Sequence, residues 1–215
     1  MSEKRLYIFD FDGTISYTGD DIAKSLNEVR KEYGLDTLPT CEILKYVGYG
    51  AGFLVENVLA VPGVSQDKIL LDYKEAYFDH CTDTSVPYPG LAETLDLLKK
   101  RGDNVSLFTN KPLRITHKTL EYFGLKDVFK SVYCPENLAK RKPDPEGIMR
   151  CMADAGVSAA STVMVGDSKA DVDAGRAAGV KTCGCLYGMG DPEKLKAAGP
   201  DFLIEDIRQI LSLKI

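Results

Sequence analysis

The sequence has no tryptophan, only two histidines in 215 residues, and no cysteine pair at metal-knuckle spacing. Its six cysteines, Cys41, Cys81, Cys134, Cys151, Cys183 and Cys185, are scattered, with no histidine at ligand spacing, which argues against a structural zinc site. Cys183-Gly184-Cys185 is the only close pair and lies in an apolar run, so buried reduced thiols are expected and a disulfide framework is not. No apolar run approaches the roughly 20 residues of a membrane helix. The 27 Lys and Arg are outnumbered by 32 Asp and Glu, giving a net charge of −5 and no sign of the basic face that nucleic acid requires. Met1-Ser2-Glu3-Lys4-Arg5 leads into an apolar stretch too short for a secretory leader. With 44% hydrophobic and 27% charged residues the chain has an ordinary globular composition and enough length for a sizeable core. A cytoplasmic enzyme or binding protein is expected.

Four short apolar runs read as strands, each followed by a helical pattern: Leu6 to Phe9, Val105 to Phe108, Thr162 to Val165, and Val180 to Leu186. Ser131 to Cys134 and Phe202 to Ile204 add shorter candidate edge strands. Apolar strands alternating with helices imply an α/β fold, a Rossmann-like parallel sheet with helices on both faces. A helix with Leu91, Leu95 and Leu98 on one face precedes the second strand and stops at Gly102. Between Asp10 and Asn104 lies far more chain than the dozen or so residues a parallel crossover needs. Its patterning is helical. Ile22, Leu26, Val29 and Tyr33 follow Asp20, an expected N-cap, and precede Gly34, an expected stop. Phe53 to Leu59 and the set Ile69, Tyr73 and Ala76 give two more helices. A small all-helical insertion is therefore expected at residues 16–84, with residues 1–15 and 85–215 forming the α/β core.

The strand ends carry the chemistry. Asp10 and Asp12 close the first run, two apart, so both carboxylates face one spot. The second run ends in Thr109-Asn110 and the third in Gly166-Asp167-Ser168, with Asp171 one turn further on. In a parallel sheet these ends share one edge, where ligands of open α/β sheets bind. Carboxylates without a nearby histidine or thiolate select a hard cation, and Mg²⁺ is the natural candidate. Lys142, between Arg141 and Pro143-Asp144-Pro145, is positioned to be the lysine that phosphoryl transfer needs beside such a metal.

The set Asp10-x-Asp12-Gly13-Thr14, Thr109-Asn110, Lys142-Pro143 and Gly166-Asp167-Ser168-x-x-Asp171, in this order, resembles the haloacid dehalogenase superfamily of phosphohydrolases over essentially the whole chain. A helical insertion just after the first motif resembles the subgroup that contains phosphoglycolate phosphatases. Further likenesses to it are Val47-Gly48-Tyr49-Gly50-Ala51-Gly52, Thr109-Asn110-Lys111-Pro112 and Tyr187-Gly188. The resemblance implies that Asp10 attacks phosphorus and that Asp12 protonates the leaving oxygen and then activates water. Asp10, Asp167 and the backbone carbonyl of Asp12 hold Mg²⁺ in that scheme. Thr109, Lys142 and backbone N–H groups near Gly13 and Asn110 bind phosphate oxygens. Asp171 holds Lys142 or a metal-bound water, with Ser168 in support. Gly48 and Gly50 belong to either a flexible interhelical loop or a loop that closes over the substrate. His80 and His117 are expected to be solvated or capping.

Two segments depart from the subgroup: Tyr17-Thr18 stands where relatives usually have Asp-Ser, and Cys134-Pro135-Glu136-Asn137 replaces the usual Gly-Gly-Asp. The expected function is a Mg²⁺-dependent phosphomonoester hydrolase acting through an aspartyl-phosphate on a small phosphorylated metabolite, with 2-phosphoglycolate first. A pyrophosphatase, a nucleotidase and a mutase of the β-phosphoglucomutase kind are enzymatic alternatives; a phosphometabolite-binding regulator is the non-enzymatic one. A monomer or homodimer is expected, with no nucleic-acid or membrane partner.

Overall fold

A computed structural model describes residues 4–215; Met1 to Glu3, where the leader expectation begins, lie outside it. The chain opens with β1 (Leu6–Phe9) and β2 (Ser16–Tyr17), then runs through four helices, α1 (Gly19–Glu32), α2 (Thr40–Leu44), α3 (Ala51–Val58) and α4 (Gln66–His80). It returns through β3 (Val86–Pro87) and α5 (Leu91–Lys100) to β4 (Asn104–Phe108), α6 (Leu113–Tyr122) and β5 (Val132–Tyr133). The last stretch holds α7 (Glu146–Ala155), β6 (Thr162–Gly166), α8 (Lys169–Ala177), β7 (Lys181–Cys185), α9 (Pro192–Ala197) and β8 (Phe202–Ile204).

Six strands form one parallel sheet in the order β5-β4-β1-β6-β7-β8. β1 is central, paired with β4 on one side and β6 on the other, and all four of its residues are buried. That explains its unbroken apolar sequence: both faces of a central parallel strand are covered. Tyr7 and Phe9 share one face with Val105, Leu107, Val163 and Val165, packed on Leu91, Leu95 and Leu98 of α5. Leu6, Ile8 and Met164 point the other way, onto Ile148 and Cys151 of α7. Phe9 lies level with Leu107 and Val165, so β1, β4 and β6 release their chains at one edge.

The four helices between β2 and β3 share a separate apolar cluster, including Ile22, Leu26, Ile43, Leu54, Tyr73 and Tyr77, to which Ile115 of α6 also contributes. β2 and β3 pair antiparallel, Ser16 with Pro87 and Tyr17 with Val86, where the chain leaves and rejoins the sheet. Beside them, buried Asp21 accepts hydrogen bonds from the backbone N–H and hydroxyl of both Thr84 and Ser85, at 2.6–2.9 Å.

Two features differ from expectation. α1 starts at Gly19 with Thr18 as N-cap, not at Asp20; Asp20 sits in the first turn, where its charge suits the helix dipole and Tyr17 donates to it at 3.2 Å. The five-residue α2 and the two-residue β2 and β3 are too short to show a period. At Gly34 (φ 72°) and Gly102 (φ 82°) the chain does turn left-handed just past helix ends. Removing the Asp21 carboxylate strands two backbone N–H groups, so Asp21→Ala should lower unfolding free energy by about 3 kcal/mol in urea titrations; a change below about 0.5 kcal/mol would show the clamp to be inert.

Candidate active site

Asp10 follows the last residue of β1 and is 3% exposed. Its Oδ1 accepts from the Phe11 N–H at 2.7 Å and from Lys142 Nζ at 2.8 Å. Asp167 leaves β6 level with it. Carboxylate oxygens of Asp10, Asp167 and Asp171 lie within 4.8 Å of one another, and all three residues are buried. Burial raises Asp10 to about 6 even against the pull of Lys142. Burial also drives Asp167 up to about 8, reinforced by the charges of Asp171 and Asp10, although two backbone donors oppose it. Those donors are the N–H groups of Met189 and Gly190, each 2.8 Å from Asp167 Oδ2.

Glycines let the backbone come this close. A Cβ on Gly13 (φ 78°) would sit 1.9 Å from Asp167 Oδ2, and one on Gly188 would sit 2.2 Å from Asp167 Cβ. Asp171 is fixed by the start of α8, where its Oδ2 accepts from the Ser168 N–H (3.0 Å) and hydroxyl (2.6 Å) in a capping box.

Lys142 is wholly buried between two acids, Asp10 at 2.8 Å and Asp171 at 2.6 Å. Burial works against its charge, but the two carboxylates outweigh this and raise its proton affinity. Asn110 sets the backbone of that segment: its Oδ1 accepts from the Lys142 N–H at 3.0 Å and its Nδ2 donates to the Lys142 carbonyl at 3.1 Å. The same Nδ2 donates to the Gly48 carbonyl at 2.9 Å, tying the glycine loop to this edge of the sheet. Thr109 is 2% exposed, and its Oγ1 accepts from the Lys111 N–H at 3.2 Å.

Asp12 stands apart from the three-acid cluster. Its Oδ1 accepts from Thr18 Oγ1 and from Lys111 Nζ, both at 2.7 Å. The third carboxylate beside Asp10 and Asp167 is therefore Asp171, because the Asp12 side chain turns toward the helices. Asp10, Asp12, Gly48, Gly50, Thr109 and Asn110 line a cavity of about 40 Å³, closed on the helical side by Ile22, Leu54, Tyr73 and Tyr77.

Lys111, Met189 and Gly190 are absent from the residues singled out in the sequence. Lys111 is visible in the sequence only as part of the Thr109–Pro112 likeness, and the Tyr187-Gly188 likeness is the one sign of the second loop. The Cys134–Asn137 segment is a short 3₁₀ turn whose Glu136 accepts from the Leu113 N–H at the start of α6. His80 is held by Asp83 and Glu28, and His117 is exposed on α6. All six cysteines are free, with Cys183 and Cys185 buried.

The sequence matches the haloacid dehalogenase-like hydrolase family over residues 7–185. The chain belongs to that family. It is 32% identical over 214 residues to a phosphoglycolate phosphatase of Pseudomonas putida, covering 96% of this chain and 78% of the relative. A phosphoglycolate phosphatase of Aquifex aeolicus is 30% identical, with 97% and 96% covered. The crystal structure of a predicted phosphoglycolate phosphatase from Haemophilus somnus superposes with a TM-score of 0.90 at 26% identity, covering 98% of both chains. The family and these near full-length likenesses make the chain a phosphatase. No helix among the described residues is long and apolar enough to cross a membrane.

The acidic cluster fits a divalent cation of the kind these hydrolases use. Its donors are all oxygens, and a single ammonium offsets three buried carboxylates. Asp167 in the fold retains a proton up to about pH 8 that the unfolded chain gives up near pH 4. Without a cation, stability should therefore fall as pH rises across that window. A bound cation takes the proton's place. Calorimetric melting in EDTA should give a lower Tm near pH 8 than near pH 5, and Mg²⁺ should raise Tm more at the higher pH. An equal response to Mg²⁺ at both would remove Asp167 as a ligand.

Proposed function

We propose that the chain is a Mg²⁺-dependent phosphomonoester hydrolase that works through an aspartyl-phosphate, with 2-phosphoglycolate as substrate. The observation that carries this is the meeting of Asp10, Asp167, Asp171 and Lys142 in one buried cluster at the carboxyl edge of the sheet. The fully buried Lys142 ammonium also holds Asp10 Oδ1, which leaves Oδ2 as the attacking oxygen. Attack on phosphorus expels the alcohol and leaves the phosphoryl group on Asp10, splitting hydrolysis into two easier steps. Asp12 gives a proton to the leaving oxygen and takes one from the water that opens the acyl phosphate. Lys142, the Thr109 hydroxyl and backbone N–H groups near Gly13 and Asn110 hold the non-bridging oxygens. Asp10, Asp167 and the Asp12 carbonyl would hold Mg²⁺, which when bound would neutralise charge on the transferred group. Asp171 keeps Lys142 aimed, and Ser168 keeps Asp171 in place.

In this scheme residues 16–84 form a cap over a core of residues 1–15 and 85–215, and Gly48 and Gly50 bring the cap backbone against the substrate. A cavity of about 40 Å³ has room for only a few water molecules, which favours a small leaving group. The preference for 2-phosphoglycolate is supported by the names of the relatives at 30–32% identity. The free thiols, five of them buried, suit the reducing cytoplasm.

A phosphate-release screen of small phosphomonoesters, with and without Mg²⁺, should find Mg²⁺-dependent turnover highest on 2-phosphoglycolate. Asp10→Asn should abolish turnover while the circular dichroism of the fold is unchanged, and retained activity would refute Asp10 as nucleophile. Thr109→Val should slow turnover by about 10²-fold through loss of one preorganised donor.

A further inference from the structure

Lys111 is a second wholly buried ammonium, with no exposed side-chain surface, and the scheme above gives it no task. It donates to Asp12 Oδ1 at 2.7 Å and to the Tyr77 hydroxyl. Its Nζ lies 4.4 Å from the centroid of the Tyr77 ring and 5.1 Å from that of Phe11. An ammonium has three donors, and among the described residues the third has no acceptor. Lys111 also lines the small cavity, otherwise walled on the helical side by apolar and tyrosyl side chains. Among the residues that line this cavity Lys111 is the one cation, whereas Lys142 lies outside its lining, between Asp10 and Asp171.

Its position fixes what it meets. In the scheme above the leaving oxygen addresses Asp12, the carboxylate that Lys111 also holds, which would put Lys111 on the alcohol side of the ester. A substituent on the carbon next to the esterified carbon reaches it. We propose that Lys111 is the specificity-determining residue for the leaving group, binding an anionic carboxylate at that position and disfavouring uncharged alcohols. This rests on the phosphatase scheme, in which Asp10 holds phosphorus and Asp12 serves the leaving oxygen. The substrate carboxylate competes with Asp12 for the ammonium, so an anionic leaving group frees the Asp12 oxygen for its proton transfer. Neutral esters leave Asp12 engaged.

The test compares 2-phosphoglycolate with 2-hydroxyethyl phosphate, which has the same chain with a hydroxymethyl group in place of the carboxylate. In the unmodified enzyme kcat/KM should favour the carboxylate by roughly 10- to 100-fold, the worth of one charge-assisted hydrogen bond in a dry site. Lys111→Met should bring that ratio close to one, mainly through a rise in KM for 2-phosphoglycolate, while Lys111→Arg keeps part of the preference. A ratio that survives in Lys111→Met, with both rates falling in parallel, would show that Lys111 only supports Asp12 and would overturn the assignment. If Lys111→Met does not fold, Lys111→Gln keeps the hydrogen bonds without the charge and is read by the same ratio. Calorimetric titration of the Asp10→Asn protein with both esters, with and without Lys111→Met, separates the two claims. Failure of the unmodified enzyme to hydrolyse either ester would sink the 2-phosphoglycolate reading, yet the titration would still read the Lys111 preference: its loss with Lys111→Met supports the assignment, and its persistence overturns it.

Discussion

Three buried carboxylates converge on one point at the edge of the sheet, and one buried ammonium, Lys142, lies between two of them. Like charges in a low-dielectric interior repel strongly, and a group so placed binds a proton or a cation in preference to standing alone. The upward shifts of Asp10 and Asp167 come first from burial, with the neighbouring carboxylates adding to it. The surrounding structure holds the acids together against their repulsion. Backbone N–H groups of Met189 and Gly190 clamp Asp167, the first turn of α8 clamps Asp171, and Asn110 clamps the segment that carries Lys142. Stability is given up here to preorganise charge, which is how a site exerts electrostatic leverage on a reaction.

The parallel register makes this convergence available. With Phe9 level with Leu107 and Val165, three chains turn out of the sheet together and present Asp10, Thr109 and Asp167 at one edge. The helical segment contributes no carboxylate to the three-acid cluster. It contributes walls through Ile22, Leu54, Tyr73 and Tyr77, and it is attached through β2, β3 and the Asp21 clamp. The acids and the cavity walls thus come from different parts of the chain, with Lys111 reaching from the sheet side to Tyr77 in the helical wall.

The sheet was legible in the sequence because its strands are continuous apolar runs, and the acids were legible because they stand at the ends of those runs. β1 needed only four residues to declare itself, and Asp167 followed β6 as Asp10 followed β1. What escaped was pairwise. Lys111 meets Asp12 across 99 residues of sequence separation, and Asp21 meets Ser85 across 64. Contacts of that kind leave no periodicity, and each partner taken alone is an ordinary surface-type residue. The Met189–Gly190 clamp escaped because its donors are backbone N–H groups, which every residue but proline carries. The start of α1 is ambiguous in sequence because Thr18 and Asp20 are both favoured N-cap types; the structure uses Thr18, whose hydroxyl is committed to Asp12 and leaves the cap without a side-chain bond.

The glycines packed around Asp167 decide which side of the pocket tolerates added bulk. Gly13 and Gly188 approach the carboxylate so closely that even a methyl group has no room. The floor of the pocket is therefore tight: any larger residue there must shift the Asp167 carboxylate or the backbone beside it. The ceiling has no such restriction, since Ile22, Leu54 and Tyr73 are side chains whose bulk can be traded. Bulk can therefore be exchanged at the roof without touching the acids, whereas bulk added at the floor moves them.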